Sequence, residues 1–316
     1  MPPISSAPSP GSPYARIALV TCKSGPGVST DPDLAALRDA VAAAGAEVTV
    51  AEWDDPAVDW AGFDLALIRS TWDYTWRTGE FLAWVERCAA ATTLANPGPV
   101  VSWNADKRYL GDLAQAGVPA VPTSYSAPGS RVEDLPLPDD REYVIKPASG
   151  AGARYAARYR PEDRAVALRH VERMHAEGLT AMVQPFMSRI DTRGERALVF
   201  LAGRFLHAIR KNAVLSPGTA YDARKIAHPG KRPYEPTATE LAVAERALAA
   251  VPGTPDLLYA RVDLVEDDQG APRVMELELI EPQLFLGPHP ESLPTVAKAV
   301  VAAARTAQAS RRPVVG

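Results

Sequence analysis

An Asp-Asp-Gln-Gly turn at 267–270 joins two segments, YARVDLVE at 259–266 and RVMELEL at 273–279, and their alternation of charge with apolar residues admits little other than an antiparallel hairpin. Side chains two apart in a strand share a face, so Arg261 and Asp263 leave one strand on the same side. Glu276 and Glu278 do so on the other strand, with Leu277 and Leu279 opposite and Glu281 three residues beyond. A solvated strand edge is the plainest account of such charge. Burial is the other, and a buried carboxylate without a partner loses several kcal/mol of hydration. A divalent cation resolves that cost. Magnesium takes carboxylate and phosphate oxygens in one shell, which makes a nucleotide the natural companion.

The rest of the chain alternates in kind. RIALV at 16–20, 47–53 and FDLALIRS at 63–70 are β-prone, and Pro32–Ala44 carries Leu34, Leu37 and Val41 at helical spacing. Strand and helix in turn imply a parallel α/β layer. Gly25 and Gly27 resemble a dinucleotide loop without its third glycine. RSTWDYTWR at 69–77 ends the third strand, where open α/β sheets gather ligands, so Arg69, Ser70, Thr71, Asp73 and Tyr74 are candidate substrate contacts. A helix start capped by Ser70 or Thr71 over a packed Trp72 accounts for the same run.

Further along, the patterns predict helices at 79–90, 104–116, 161–177, 239–250 and 294–308, and a turn at 96–101. Strands are predicted at 141–146, 181–185, 197–201 and 204–210, with a long polar stretch at 212–236. Lys146 closes a strand ahead of Ser149-Gly150-Ala151-Gly152-Ala153, a loop whose glycines let backbone approach phosphate oxygens. Lys107, Arg210 and Lys211 add cations.

Several classes are excluded or disfavoured. A net charge of −4 over 316 residues offers no footprint for nucleic acid. Cys22 and Cys88 fit neither a metal spacing nor a disulfide framework, which suits a reducing cytoplasm. The apolar runs are too short for a membrane span, and the Pro/Ser-rich residues 1–13 read as a flexible tail rather than a signal peptide. His170 and His175 are expected on the surface.

NADKRYLGDLAQAGVPAVPT (104–123), YVIKPASGAG (143–152), MVQPF (182–186), GERALVFLAGRFLHAIRK (194–211) and YARVDL with MELELIEP (259–282) stand in an order that resembles the ATP-grasp superfamily, in its glutathione-synthetase-like branch. The resemblance implies an N-terminal parallel α/β domain at 14–102, then a two-lobed ATP-grasp module divided into 103–186 and 187–310. It implies ATP and one or two magnesium ions, for which manganese can substitute, with Asp263, Glu276 and Glu278 as metal ligands. Many members carry asparagine where this chain has Glu278. By the same likeness Lys107 and Lys146 hold phosphates under the 149–153 loop, and Gln184, Pro185 and Phe186 meet adenine. Asp191 is the candidate for ribose, and Arg261 with Lys211 or Arg210 stabilises the transferred phosphoryl group.

RSTWDYTWR, EFLAWV, NPGPVVSWNADKRYL and ELELIEP are similar, more narrowly, to the cyclo-ligases that close O-ureido-D-serine to D-cycloserine in antibiotic biosynthesis. That likeness implies a small amino-acid substrate whose carboxylate becomes an acylphosphate, with Arg69 as anion contact and Glu281 as amine partner. An intermolecular amino acid or peptide ligase and a non-catalytic ATP-binding module remain as alternatives, and a homodimer is left open.

Overall fold

The computed structural model describes residues 13–23, 30–216, 218–221 and 230–311. Gly25, Gly27 and the tail through residue 12 lie outside them.

The chain begins with β1 (Ala15–Thr21), α1 (Leu34–Ala43), β2 (Ala46–Glu52), β3 (Leu65–Ser70), α2 (Thr78–Ala91) and β4 (Thr93–Ala95). These strands form a parallel sheet in the order β2-β1-β3-β4. β4 is three residues long, too short for an alternation pattern to reveal it. The predicted turn at 96–101 is instead the opening of α3 (Gly98–Asn104), whose proline in the first turn costs no hydrogen bond because that N–H is unpaired in any helix. The predicted helix at 104–116 survives only as α4 (Tyr109–Gln115). Between α3 and α4 the Lys107 N–H leaves the helical ladder to bond Ala148 O at 2.8 Å.

A second, antiparallel sheet in the order β5-β8-β6-β7 comprises β5 (Ser124–Ser126), β6 (Tyr143–Pro147), β7 (Ala157–Tyr159) and, beyond α5 (Arg164–Ala176), β8 (Ala181–Pro185). α5 covers one side of it through Ala167, Val171 and Met174. After the short α6 (Ile190–Arg193) come β9 (Glu195–Leu201), β10 (Arg204–Lys211), β11 (Lys231–Tyr234), α7 (Ala238–Ala249), β12 (Tyr259–Glu266), β13 (Pro272–Glu278) and α8 (Leu293–Arg311). Their strands form a third sheet, antiparallel, in the order β11-β10-β9-β12-β13.

Period-two alternation gives this third sheet two different faces. Leu198, Phe200, Ala208, Val262, Leu264 and Leu277 pack under α7 and α4. On the other face Ala197, Val199, Leu201, Ile209 and Tyr259 join a core shared with β1, β3, α1 and α8. The sequence reading grouped residues up to 310 in one lobe. By packing, α8 belongs with the first sheet, because Val296, Ala297, Val300 and Ala304 present a face slim enough to lie against β1 and α1.

His170 is a correction to the sequence reading. It is buried rather than on the surface, it bonds Tyr159 Oη through Nδ1 at 3.0 Å, and it stacks on Tyr221 with centroids 4.1 Å apart. Burial pushes its imidazole down to about 4, so at neutral pH it is an uncharged core residue. The amphipathic pattern of α5 put it on a polar stripe, but Tyr221 arrives from a distant segment and covers it.

Candidate active site

A cleft of about 400 Å³ lies where all three sheets meet, a size suited to a small-molecule ligand. Its acidic wall is the β12–β13 hairpin. In the register Arg261 faces Glu278 and Asp263 faces Glu276, and the four side chains share one face because the register shifts between Asp263 and Leu264; alternation carried straight back from the turn would set Asp263 opposite Met275. One oxygen from each of Asp263, Glu276 and Glu278 falls within 4.8 Å of the others, a set of hard donors suited to a divalent cation.

β13 is an edge strand, yet it is not solvated. Asn104 donates from Nδ2 to Leu277 O and accepts the Leu279 N–H at Oδ1, both at 2.8 Å. The Leu277 N–H donates to Tyr109 Oη at 3.0 Å, and Val121 N bonds Val274 O at 2.9 Å. Side chains of α3 and α4 thus replace a missing strand, which holds Glu276 and Glu278 in place and removes the exposed-edge account of the acidic octet.

Lys107, Lys146, Lys211 and Arg261 are among the cations that line the cleft. Lys107 Nζ lies 3.1 Å from Glu276 and donates to Gly150 O at 2.5 Å. Arg261 bonds Asp263 at 2.8 and 3.0 Å and also pairs with Glu278. Lys211 reaches Asp263 at 2.7 Å and pairs with Glu195 across the β9–β10 hairpin. Lys146 reaches the cleft without an ion pair to any described residue. Burial, with Lys107 and Lys211 nearby, outweighs the pull of Glu276 and lowers its ammonium to about 8.

Burial opposes ionisation of every carboxylate here, and the cations decide the outcome. Arg261 and Lys211 hold the Asp263 carboxyl well below its ordinary range, and Lys107 and Lys146 lower Glu276. At Glu278 burial prevails over Arg261, with Glu276 and Asp263 adding to it, and the carboxyl is pushed up to about 7. Cations crowd the acids, and Lys146 is left with too few. A chelated anion, such as a triphosphate with its metal, is what would balance the set.

The remaining expected residues divide. Gly150, Ala151, Gly152 and Ala153 line the cleft, as do Gln184, Pro185 and Phe186. Ser149 is tied to Thr78, with the two hydroxyls 3.2 Å apart. Tyr74 and Glu281 line the cleft, and Trp72, expected only as packing, lines it too. Arg69, Ser70, Thr71 and Asp73 do not.

Arg69 is 1% exposed and directs its guanidinium to Pro282 O at 3.3 Å and Asp31 at 3.4 Å. Ser70 bonds Thr21, and Asp73 accepts from Trp53 Nε1, at 2.8 Å in each case. Their strand end is covered by the segment after β13, which Arg69 holds. Trp72 Nε1 donates to Glu281 O at 3.3 Å from the same group. Arg210 is also excluded, because one residue along a strand reverses the face. It bonds Thr192 O behind the sheet, while Lys211 points into the cleft. Asp191 turns to Arg158 at 2.9 Å rather than to the cleft.

Glu195, Arg154, Lys231, Gln283 and Phe285 also line the cleft and were not anticipated. Glu195 faces Lys211 because the β9–β10 register shifts between Phe205 and His207, which the Ala202–Gly203 turn alone does not foretell. The others lie in loops or at a strand start, where no periodicity marks a face. Phe285 adopts a left-handed backbone (φ 53°), a conformation that costs a bulky residue on the order of 1–3 kcal/mol and recurs at functional sites.

Cycloserine biosynthesis protein DcsG of Streptomyces lavendulae is 39% identical over 269 residues, 81% of this chain and 88% of that protein. The chain belongs to the DcsG family. Residues 17–96 match the family model for the N-terminal domain of D-cycloserine synthetase DcsG. The crystal structure of D-cycloserine synthetase DcsG superposes with a TM-score of 0.83 at 35% identity, covering 92% of this chain and all of that one (100%). D-alanine–D-alanine ligase from Bacillus anthracis shares the fold, with a TM-score of 0.64, 16% identity and coverage of 94% and 99%. The fold is ATP-grasp and the chain is a ligase of the DcsG family. Among the described residues no helix is long and apolar enough to cross a membrane.

Proposed function

We propose that this ligase activates an amino-acid carboxylate with ATP and closes O-ureido-D-serine to D-cycloserine. The observation that carries the reading is the Asp263–Glu276–Glu278 triad, within 4.8 Å, in a cleft also lined by Lys107, Lys146, Lys211 and Arg261. That the relatives are a cycloserine biosynthesis protein and a D-cycloserine synthetase supports the choice of product.

The triad would hold magnesium, whose chemistry is to neutralise phosphate oxygens during transfer. Lys107 and Lys146 would hold the triphosphate beneath Gly150–Ala153, and Gln184, Pro185 and Phe186 would contact adenine. The substrate carboxylate attacks the γ-phosphorus and ADP departs, leaving an acylphosphate. Lys211 and Arg261 stabilise the charge that moves onto the phosphoryl oxygens. The nitrogen bonded to the side-chain oxygen then attacks the acyl carbon and phosphate leaves. Water takes the carbamoyl group to carbon dioxide and ammonia. No protein nucleophile is needed, and a closed cleft protects the acylphosphate from hydrolysis.

The test is magnesium-dependent ADP formation over a panel of ureido, aminooxy and unmodified amino acids, with products identified by mass. Ring formation from O-ureido-D-serine alone is expected. ADP release that requires a second amine would replace this reading with intermolecular ligation.

A further inference from the structure

Lys231 opens β11 and stands opposite Lys211 in the β10–β11 register, so both side chains leave the sheet on the same face. Like charges directly opposite repel, and Lys211 is relieved by Asp263 at 2.7 Å and by Glu195. Lys231 makes no ion pair with any described residue. Its ammonium donates to the neutral Gln283 Oε1 at 2.8 Å and lies 5.1 Å from the centroid of the Phe285 ring. The Arg261 guanidinium lies 5.2 Å from the same centroid and donates to the Gln283 carbonyl at 3.4 Å. Two cations thus flank one ring in the cleft wall, both anchored by residue 283. Lys231 is exposed at the rim of the cleft, and partial desolvation with Arg261 and Lys211 close by holds its ammonium below its ordinary range against the pull of Asp33, an imbalance that an anion would relieve.

Resting on the ligase reading above, we propose that Lys231, held by Gln283 over Phe285, receives the carboxylate of the amino-acid substrate. It steers one oxygen of that group toward the phosphoryl group beside Lys211 and Arg261. Arg69, which the sequence nominated for this task, is spent on Pro282 and Asp31 and shapes the 281–285 segment from behind. Lys231 takes its place because β11 begins at the cleft, whereas the end of β3 is covered.

The experiment compares Lys231→Met, Lys231→Arg and, as a control, Arg232→Met. Arg232 is exposed and pairs with Arg210, on the opposite face. Lys231→Met is expected to lower kcat/KM for the amino acid by about 10- to 100-fold, the worth of one charged hydrogen bond, with less than about a twofold change in the KM for ATP. Lys231→Arg restores part of the loss, and Arg232→Met changes neither. An equal rise in both KM values would assign Lys231 to the nucleotide phosphates instead.

A second readout needs no turnover: acetylation of lysines in the full chain, with Lys231 followed by mass spectrometry. O-Ureido-D-serine should protect Lys231. Protection by a non-hydrolysable ATP analogue alone, or by neither ligand, overturns the proposal. If the wild-type chain forms no ring from O-ureido-D-serine, the cyclisation reading fails by itself, and protection by D-serine still decides the role of Lys231.

Discussion

Two clusters of polar residues stand at strand ends and face opposite fates. At the end of β3, Arg69, Ser70, Thr71 and Asp73 are buried, and Arg69, Ser70 and Asp73 spend their bonds on neighbouring protein groups. On β12 and β13, Arg261, Asp263, Glu276 and Glu278 line a cleft in which their charges remain available to a metal and an anion. Strand-end position alone therefore does not make a ligand contact. What distinguishes the pair is the next layer, since the segment after β13 covers the first cluster, whereas the second faces the 150–153 loop across open space. One region holds a wall, and the other meets the ligand.

Neutralising the second cluster should have the largest effect. Asp263→Asn and Glu276→Gln are each expected to reduce magnesium-dependent ADP formation at least about 100-fold, with the chain still folded by circular dichroism. Activity within a few-fold of wild type would place the metal elsewhere and erase the contrast.

Arg69→Ala tests the first cluster from the side of stability. It leaves Asp31 buried without its partner, a type of lesion that costs about 3–5 kcal/mol, so a marked fall in melting temperature is expected. A stable variant with only a raised amino-acid KM would return Arg69 to the substrate site.

The smallest effect separates the clusters by sign of pH dependence. Burial raises the Asp73 carboxyl, with Asp54 adding to it and Trp53 and Arg77 opposing, so it binds a proton more readily in the folded chain than in the unfolded one. Stability from that group is full below the unfolded carboxyl range, near pH 4, and is lost as pH rises through the raised folded value. Asp263 and Glu276 are lowered, and they stabilise above that range and lose the contribution as pH falls. Asp73→Asn should thus raise the melting temperature at pH 7 more than at pH 4 and leave ADP formation unchanged. A variant that loses stability equally at both values would contradict the assignment.

Much of the fold was legible because local rules carried it. β8 and β12 fall on the predicted residues, and the pairing nearest the Asp267–Gly270 turn follows from alternation, whereas a register shift at Asp263/Leu264 does not. The short strands β4, β5 and β7 were not, because three residues show no period and their pairing comes from neighbours far along the chain. Glu195 and Lys211 lie in a hairpin legible from its Ala202–Gly203 turn, but their pairing needs the register shift at Phe205/His207, and Gln283 and Phe285 occupy a loop whose direction no local pattern sets.

By itself the sequence determined that Arg261 shares a strand face with Asp263 and Glu276 with Glu278; that both pairs turn to the same side depends on the register shift at Asp263/Leu264, which the folded hairpin decided. Nor did the sequence determine which faces meet a cavity. That was decided when α3 and α4 sealed the edge of β13 and the segment after β13 folded over Arg69. Periodicity is a property of neighbours along the chain, and burial depends on which distant segment arrives to exclude water.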